Sequence, residues 1–528
     1  MTASTTLDAA TSGAPNGNAK AKFPRQIPFI IGSEGCERFS FYGMRTILTV
    51  FLMTSLLAAI PKELREHEAK EVFHTFVIGV YFFPLLGGWL ADRFFGKYNT
   101  VLWFSLIYCI GHACLAIFEH SRNGFYFGLF LIALGAGGIK PLVASFMGDQ
   151  FDQTNKSLAK AAFGAFYWAI NFGSFFSTLA TPWVLTNYGA AWAFGIPGVL
   201  MAVATLLFWA ARKHYVRVPV ETNNPNAFMK VIRTALFSHE QGESRTGLIV
   251  AALGPIAAAF GAWVLRDSGF VTAVSVAIVS VMAFGGMGAW MQLERAKRVH
   301  GEESVDAVRA VLRLLLVFFL TTPFWTLYDQ YSSTWVLQGE KMIAPAWFQA
   351  SQMQTLNAVL LLLMIPFNNL LLYPLLEKMG IEVTAMRRMA AGMFIVTLSW
   401  LPIIAFQASL ENGAQVSLLW QAVPYLLLSF AEVLLSTTGL EFAYSQAPAS
   451  MKGILMSFFY LSFSIGNVWT LLVTSSMQHK GVVAYVGSTG MSAAMFEMWF
   501  YIGFGIVAAL IFALYARSYK ELDNYRAA

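Results

Sequence analysis

The sequence of 528 residues has unusually few charged residues for its length. Only 12% of them are Asp, Glu, Lys or Arg, about half of the roughly 25% that is usual in soluble domains, whereas 57% are hydrophobic. A soluble globule of this composition would expose large apolar patches. The composition therefore argues against a soluble enzyme, a nucleic-acid-binding protein and a disordered chain.

Cysteine is scarce as well. The three copies, Cys36, Cys109 and Cys114, all lie in apolar stretches. Three cysteines without a CxxC pair are too few for a disulfide framework and indicate no redox or metal site. The HExxH pattern of zinc proteases also fails, because Glu71 stands where a second histidine must follow His67. We therefore predict no metal, no cofactor and no enzymatic activity.

Long apolar stretches, in contrast, recur along the chain. Residues 1–22 are rich in small and polar residues and have no apolar core, so they predict a disordered tail and not a signal peptide. A membrane helix needs about 20 apolar residues, and fourteen later stretches reach that length. We predict an all-α membrane protein with fourteen transmembrane helices, at residues 27–60, 71–91, 99–118, 124–148, 160–186, 190–211, 246–265, 270–292, 308–338, 348–377, 387–408, 416–446, 451–477 and 490–516.

The chain looks duplicated. The loop after the second span, residues 87–97 (GGWLADRFFGK), has a degenerate repeat after the tenth span, at residues 374–380 (PLLEKMG). This loop resembles that of the major facilitator superfamily, in which two six-helix halves rock about a midplane site. The resemblance implies two six-helix bundles and an inserted two-helix hairpin, which we expect to be structural. The predicted units are a disordered cytoplasmic tail (1–26), an N-terminal bundle (27–211), a cytoplasmic linker with the hairpin (212–307), a C-terminal bundle (308–516) and a cytoplasmic tail (517–528).

The distribution of Lys and Arg predicts the orientation. If both ends are cytoplasmic, the cytoplasmic segments hold 25 basic residues and the opposite loops hold seven. This bias fixes both termini in the cytoplasm and predicts a multi-pass protein of the cell inner (plasma) membrane. Three further basic residues lie within the spans, and a functional site is expected there: Arg38, Arg45 and Lys140.

The first span carries four ionisable residues. A charge at the bilayer centre costs about 2.5–3.5 kcal/mol on insertion scales, so Glu34, Glu37, Arg38 and Arg45 must pair or line a wet cavity. Their spacings of three, four and seven residues place them on one helix face, in a stripe about 16 Å long. The arginines suit a ligand carboxylate, and the glutamates suit a proton, since apolar surroundings favour the neutral carboxyl. A purely structural ion-pair network is the alternative.

Other spans add Lys140, Asp329 and Glu432, and Glu441 near a span end. Acids then outnumber bases within the membrane, which suits a site that binds protons and a ligand with both a positive and a negative end. The glycines before Lys140 do not form a phosphate-binding loop, because Pro141 stands where that loop needs Ser or Thr.

Five segments resemble motifs of the proton-dependent oligopeptide transporters. Residues 34–43 (EGCERFSFYG) resemble the ExxERFxYYG motif, and residues 166–174 (FYWAINFGS) resemble the FYxxINxGS signature. Residues 137–151, 324–330 and 429–448 resemble runs on family helices four, seven and ten, the last most like the animal intestinal transporters. The resemblance extends from about residue 25 to 515, and the central hairpin is similar to two extra helices of bacterial members.

The resemblance implies a role for each matching residue. The proton-coupling residues would be Glu34, Glu37, Arg38, His74 and Lys140. The peptide-binding residues would be Arg38, Tyr42, Tyr81, Lys140, Asn171, Asn357, Glu432, Phe459 and Ser462. The gates would be the pairs Arg45–Asp329 on the outer side and Lys140–Glu432 on the inner side.

The sequence departs from the family pattern at three positions. Phe41 replaces the first Tyr of YYG, so one hydroxyl contact is lost. Ala358 stands where a Pro is frequent, and Phe459 stands where many bacterial members have a Trp. The side-chain selectivity of that pocket is therefore expected to differ.

The resemblance implies a proton-coupled symporter that imports di- and tripeptides by alternating access. Its partners would be these peptides, protons and the lipid bilayer, with no nucleic acid, and we expect a monomer. The alternative is a transporter of the same fold for another small solute, such as nitrate, an amino acid or a peptide-like compound. A non-transporting receptor is less favoured, because the Glu34, Glu37 and Arg38 triplet is intact.

Overall fold

The computed structural model is a helical protein. It describes residues 23–152, 155, 158–220, 225–238, 243–264, 266, 270–446 and 452–519. Most of each predicted tail, and the side chain of Glu441, lie outside the described residues.

Eight helices form the first part of the chain. They are α1 (Ile27–Phe51), α2 (Lys62–Phe82), α3 (Pro84–Leu90), α4 (Gly96–Ile117), α5 (Arg122–Ile139), α6 (Leu142–Gly148), α7 (Ala159–Tyr188) and α8 (Ala190–Ala210). The middle part contains α9 (Phe228–Phe237), α10 (Thr246–Val264) and α11 (Phe270–Gln292). The last part contains α12 (Lys297–Leu320), α13 (Thr322–Tyr328), α14 (Thr334–Gly339), α15 (Thr355–Phe367), α16 (Tyr373–Lys378), α17 (Ala385–Leu398), α18 (Trp400–Glu411), α19 (Ala422–Glu432), α20 (Thr438–Gln446), α21 (Lys452–Ser476), α22 (Lys480–Thr489) and α23 (Ala493–Ser518).

Eleven helical stretches of the described residues are long and apolar enough to cross a membrane. Two of them, Leu64–Ile117 and Thr272–Gly339, contain 54 and 68 residues, so each is long enough for two of the predicted spans. The structure thus agrees with a multi-pass all-α protein, and the count of fourteen spans stays a prediction.

Several helix bounds differ from the prediction. Helix α2 begins at Lys62, nine residues before the predicted span, so Arg65 and Lys70 belong to a helix and not to a loop. Helices α9 and α22 were not predicted, because both are short and neither is apolar throughout. Four side chains of α9 are buried at the spacing of one helix face, which explains why it folds outside the predicted spans: Phe228, Val231, Ile232 and Ala235.

Two large apolar cores divide the molecule. The first is built from residues between Ile27 and Tyr215, and the second from residues between Phe228 and Phe512 together with Phe82. A small third cluster, which includes Ile78 and Leu471, lies where α2 meets α21. The two halves of the chain therefore pack separately and meet along a seam.

The inserted helices α10 and α11 pack closely against each other. A Cβ atom on Gly247 would lie 2.4 Å from the carbonyl oxygen of Gly288, so only glycine permits this approach. Helix α11 also contacts α2 and α21. The two helices thus form a hairpin that contacts both halves of the molecule.

Irregular backbone positions the charged residues of the seam. Helix α5 ends at Ile139, and Lys140 follows it just before Pro141. The glycines before Lys140 allow tight packing, since a Cβ on Gly137 would lie 2.4 Å from the Cβ of Phe83. Asp329 begins a short 3₁₀ segment, and Glu432 is followed by a π-helical segment. Such breaks are frequent at functional sites, because they redirect side chains out of the regular ladder.

Candidate functional site

A cavity of about 210 Å³ lies in the seam between the two halves. Its walls come from α1, α2, α5 and α7 on one side and from α13, α15, α19 and α21 on the other. Ten of the residues predicted as binding or gating residues line it: Arg38, Tyr42, Arg45, Tyr81, Lys140, Asn171, Asp329, Asn357, Glu432 and Phe459.

Arg38 is held by two glutamates of its own helix. Its Nε donates to Glu34 Oε1 at 2.7 Å and lies 3.1 Å from Glu37 Oε2. The Glu37 contact is an ion pair without hydrogen-bond alignment, and neither carboxylate oxygen of Glu37 has a hydrogen-bond partner. Glu34 and Glu37 are each only 2% exposed. The helical spacing thus brings the three together as predicted, and Glu37 is left with unused acceptors in a buried place.

Lys140 is held by an aromatic ring. Its Nζ lies 3.6 Å from the ring centre of Phe41 and 5.9 Å from that of Tyr81. Within the described chain Lys140 makes no ion pair, and in particular none with Glu432. The negative face of an aromatic ring attracts a cation. Phe41, which stands where the family motif has a Tyr, therefore stabilises the lysine although it has no hydroxyl.

The opposite wall carries an amide and a carboxylate. Asn357 Nδ2 donates to Glu432 Oε2 at 2.8 Å and lies 3.1 Å from the hydroxyl of Ser429. Asn357 is 8% exposed, and both residues line the cavity. Glu432 is thus held within its own half of the molecule and presents a carboxyl group to the cavity.

Arg45 and Asp329 join the two halves directly. Arg45 donates to Asp329 Oδ1 at 2.6 Å, and both side chains are almost fully buried. Nearby, Thr49 of α1 donates to the carbonyl of Ser332 at 2.8 Å. These contacts lie towards the end of the seam at which α1 finishes, near Phe51.

His74 belongs to the same network through Asn467. Asn467 Nδ2 donates to Asp329 Oδ2 at 2.6 Å, and its Oδ1 lies 2.6 Å from His74 Nδ1. Because the amide oxygen only accepts, the proton between them resides on His74 Nδ1. His74 Nε2 lies 3.0 Å from the hydroxyl of Ser333, and in the neutral ring it accepts from that hydroxyl. An unbroken chain of contacts therefore connects His74 to Arg45.

Aromatic rings form the remaining wall. Tyr81 stacks on Phe463 with ring centres 4.7 Å apart and lies 6.2 Å from Tyr460. Phe459 lies in the same cluster and is 2% exposed. Asn171, which also lines the cavity, donates its amide to the carbonyl of Tyr167 at 2.9 Å.

Ser462 is the one predicted binding residue that does not line this cavity. Its hydroxyl donates to the carbonyl of Phe459 at 2.6 Å, and it lines a different cavity behind α21. Residues on a helix turn by 100° each, so Ser462 points about 100° away from Phe463, which does face the central cavity. The structure gives no support to a peptide contact at Ser462.

The sequence reasoning missed several polar residues of the site. Asn467 and Ser333 complete the His74 network, and Tyr460 lines the cavity beside the predicted Phe459. The signal for Asn467 was present, because an amide within an apolar span is costly unless it finds a partner. The partners of Asn467 could not be predicted from the sequence, since His74 and Asp329 lie 393 and 138 residues away in the chain.

The fold and the cavity together define a multi-pass helical membrane transporter of the major facilitator type. The POT family model matches residues 98–488, so the chain belongs to the POT family, the proton-dependent oligopeptide family of transporters. The resemblance read from the motifs is therefore confirmed.

Two solved structures are similar over nearly the whole chain. The POT family transporter PepTSo is 58% identical with a TM-score of 0.92, covering 96% of this chain and 100% of that one. An auto-inhibited POT family peptide transporter is 56% identical with a TM-score of 0.93, covering 96% and 99%. Solute carrier family 15 member 1 of Rattus norvegicus is 30% identical over 75% of this chain. The chain spans 53% of that relative's length, about half.

Proposed function

We propose that the chain is a proton-coupled symporter that imports di- and tripeptides by alternating access. One observation carries the proposal: a single cavity has cationic side chains on one wall and a carboxylate with an amide on the other. A short peptide is a zwitterion whose two ends match these walls. The similar structure described as a POT family peptide transporter supports the same substrate class.

The proposed peptide orientation follows from the charges. The peptide carboxylate would approach Arg38 and Lys140, and the ammonium would approach Glu432 and Asn357. Tyr42, Tyr81, Asn171 and Phe459 would contact the backbone and side chains between these ends. Charge-assisted hydrogen bonds at both ends favour a peptide over nitrate, because nitrate has no group for Glu432.

The proposed proton carriers are Glu34 and Glu37. Glu37 is the stronger candidate, since both of its oxygens are buried without a hydrogen-bond partner. Protonation would weaken its attraction to Arg38 and leave that arginine to the peptide. His74 and Lys140 would relay the change to the two gates. The membrane potential supplies about 2.3 kcal/mol per charge per 100 mV to drive the proton inward.

The proposed gates are the Arg45–Asp329 pair and the Lys140–Glu432 pair. We propose that the protein lies in the inner membrane of the cell with both termini in the cytoplasm. The end of the seam near Phe51 then faces away from the cytoplasm, and we call it the outer end. The two proposed bundles, residues 27–211 and 308–516, would rock about the cavity as a monomer, with the hairpin inserted between them. No metal, cofactor or nucleic acid has a part in this scheme.

The test is uptake of labelled dialanine into proteoliposomes with an inside-negative potential, with and without an inward proton gradient. We expect accumulation that needs the gradient and collapses with an uncoupler. Absence of dialanine uptake, with transport of nitrate or a free amino acid instead, would contradict the proposed substrate and keep the fold.

Glu37→Gln separates coupling from binding. The variant cannot release a proton at this position, so we expect gradient-driven accumulation to be lost and peptide counterflow between equal pools to continue. Normal concentrative uptake by Glu37→Gln would contradict the coupling role.

Glu432→Gln tests the site for the peptide ammonium. We expect affinity to fall by about tenfold or more for dialanine, the cost of roughly 1.5–3 kcal/mol for a hydrogen bond to a charged group. N-acetyl-dialanine, which lacks the ammonium, serves as the control and should be affected much less. Equal losses for both peptides would contradict the assignment.

A further inference from the structure

A second and larger cavity, of about 1070 Å³, lies between the inserted hairpin and the C-terminal half. Helix α11 provides one wall, and α12, α21 and α23 provide the other, with side chains such as Met287, Leu316 and Leu461. The central cavity uses the opposite face of α21, and the two cavities share no lining residue. This hairpin groove is therefore a separate feature of the molecule.

Most polar side chains of the hairpin groove gather at one end, and the exception, Ser462, donates its hydroxyl to the carbonyl of Phe459. Arg313, Tyr515 and Ser518 line that end, close to where α23 finishes. Trp290 lines it near the end of α11 and is 43% exposed. Trp and Tyr are typical of the membrane–water boundary, so this end lies at the level of lipid headgroups and the apolar remainder lies within the bilayer.

Arg313 differs from the neighbouring basic residues in having no acidic partner among the described residues. Arg309, one turn earlier on α12, pairs with Glu294 and Asp306, and Lys297 pairs with Glu294. In the part of the chain that the structure describes, no ion pair reaches Arg313, whose guanidinium lies 5.7 Å from the ring centre of Trp290 and also interacts with Tyr515. Within the described ranges, the guanidinium at the mouth of this apolar channel thus has no counter-ion.

The channel opens towards the surroundings of the protein. Met287, Leu316 and Phe319 line it and are each more than two-fifths exposed. An occupant can therefore enter sideways from the bilayer, and it needs an apolar body with an anionic head. A second copy of the chain is less suitable, because the feature is concave and ends in a positive charge.

We propose that the hairpin groove binds an anionic phospholipid. The phosphate accepts hydrogen bonds from Arg313, with the hydroxyls of Tyr515 and Ser518 beside it, and the acyl chains lie along α11 and α21. Basic pockets between membrane helices on the cytoplasmic side are the known setting for such headgroups, and the proposed orientation puts this end in the cytoplasmic leaflet. The lipid would fill the gap between the hairpin and the C-terminal half.

The test is native mass spectrometry of the purified protein in detergent, titrated with palmitoyl-oleoyl phosphatidylglycerol or with the matching phosphatidylcholine. We expect phosphatidylglycerol to bind about fivefold more tightly, the contribution of one basic residue near an anionic headgroup. Arg313→Gln should abolish this preference, and Arg313→Lys, which keeps the charge, should retain it. Glycerophosphate, which has a phosphate but no chains, should not compete.

Arg212 provides the matched control. Its guanidinium lies 3.6 Å from the ring of Trp209 at the end of α8, away from the groove, so Arg212→Gln should leave the preference unchanged. Gly286→Phe tests the apolar channel independently, because its Cβ would lie 3.5 Å from Leu312 and the ring would extend into the groove. This variant should weaken binding of both lipids.

Two results would overturn the proposal. One is equal binding of both lipids by the unaltered protein, and the other is an unchanged preference in Arg313→Gln. If Arg313→Gln does not yield folded protein, retention of both lipids at full affinity by Gly286→Phe would overturn it as well. Competition by glycerophosphate would instead indicate a site for soluble phosphate.

Discussion

Two pairs of opposite charges face each other across the seam, and only one of them is formed. Arg45 and Asp329 contact each other at 2.6 Å, whereas Lys140 and Glu432 do not pair. Each member of the second pair is held within its own half, Lys140 by the ring of Phe41 and Glu432 by the amide of Asn357.

Neutral groups can stabilise a buried charge that has no ion-pair partner. An unpaired charge inside the membrane costs several kcal/mol, so neither Lys140 nor Glu432 can be left without support. Neutral partners supply it, a π face for the cation and an amide for the anion. Asp329, by contrast, has an ion-pair partner as well as a neutral one, because it accepts from both Arg45 and the amide of Asn467. In this structure the Arg45–Asp329 contact is thus made, and Lys140 and Glu432 are separate.

The largest expected effect comes from Asp329→Asn. The change leaves Arg45 buried without a carboxylate, which costs on the order of 3–5 kcal/mol and should open the outer end. We expect peptide uptake to be lost. Spin labels at Leu64 and Val483, exposed residues near the starts of α2 and α22, should move apart.

The matched control for this variant is Asp149→Asn. It removes a carboxylate that lies 2.7 Å from Lys97, but both residues belong to the same half. The distance between the labels should therefore stay as in the unaltered protein. An unchanged distance in Asp329→Asn would show that the Arg45 contact does not hold the outer end.

A smaller effect is expected at a second outer contact that the sequence did not reveal. Lys70 of α2 lies 3.1 Å from Glu497 of α23, and both are buried. Lys70→Met leaves Glu497 with the hydroxyls of Thr474 and Tyr501, at 3.4 and 3.2 Å, so the cost should be about 1–3 kcal/mol. The same labels should show a partial opening, and uptake should fall without being lost. A wider opening than in Asp329→Asn would reverse the ranking of the two contacts.

The smallest of the three effects is expected at the inner pair. Phe41→Leu removes the ring that supports Lys140, a loss of about 1 kcal/mol, because the ring of Tyr81 still lies 5.9 Å from its Nζ. Lys140 should then favour Glu432, and the rate of peptide uptake should fall several-fold. Phe41→Tyr keeps the π face and serves as the control, with nearly normal uptake. A normal rate in Phe41→Leu would show that the ring does not hold the lysine.

The charged stripe of α1 could be predicted because helix periodicity alone decides which residues share a face. Glu34, Glu37 and Arg38 therefore came together as expected. The family motifs extended this to Asp329 and Glu432 on distant helices, although their roles stay predictions.

Other features of the site depend on distance in the chain and on backbone irregularity. Asn467 lies 138 residues from Asp329 and 393 from His74, and only the packing of α2 against α21 brings them together. The early start of α2 at Lys62 was hidden by its charged first turns, which resemble a loop in composition. Ser462 lines the other cavity, because the sequence does not show which face of α21 meets the central one.

The ring beneath Lys140 has a consequence for the speed of the cycle. A π face attracts a cation from a broad range of directions, so the ammonium can slide away without breaking a bond that has a fixed angle. The outer end is different, because Arg45, Asp329 and Asn467 are joined by directional hydrogen bonds of 2.6 Å that must break and reform together. The slowest rearrangement of the proposed transport cycle should therefore be the breaking of the hydrogen bonds at the outer end. Lys140 should move after it without limiting the rate.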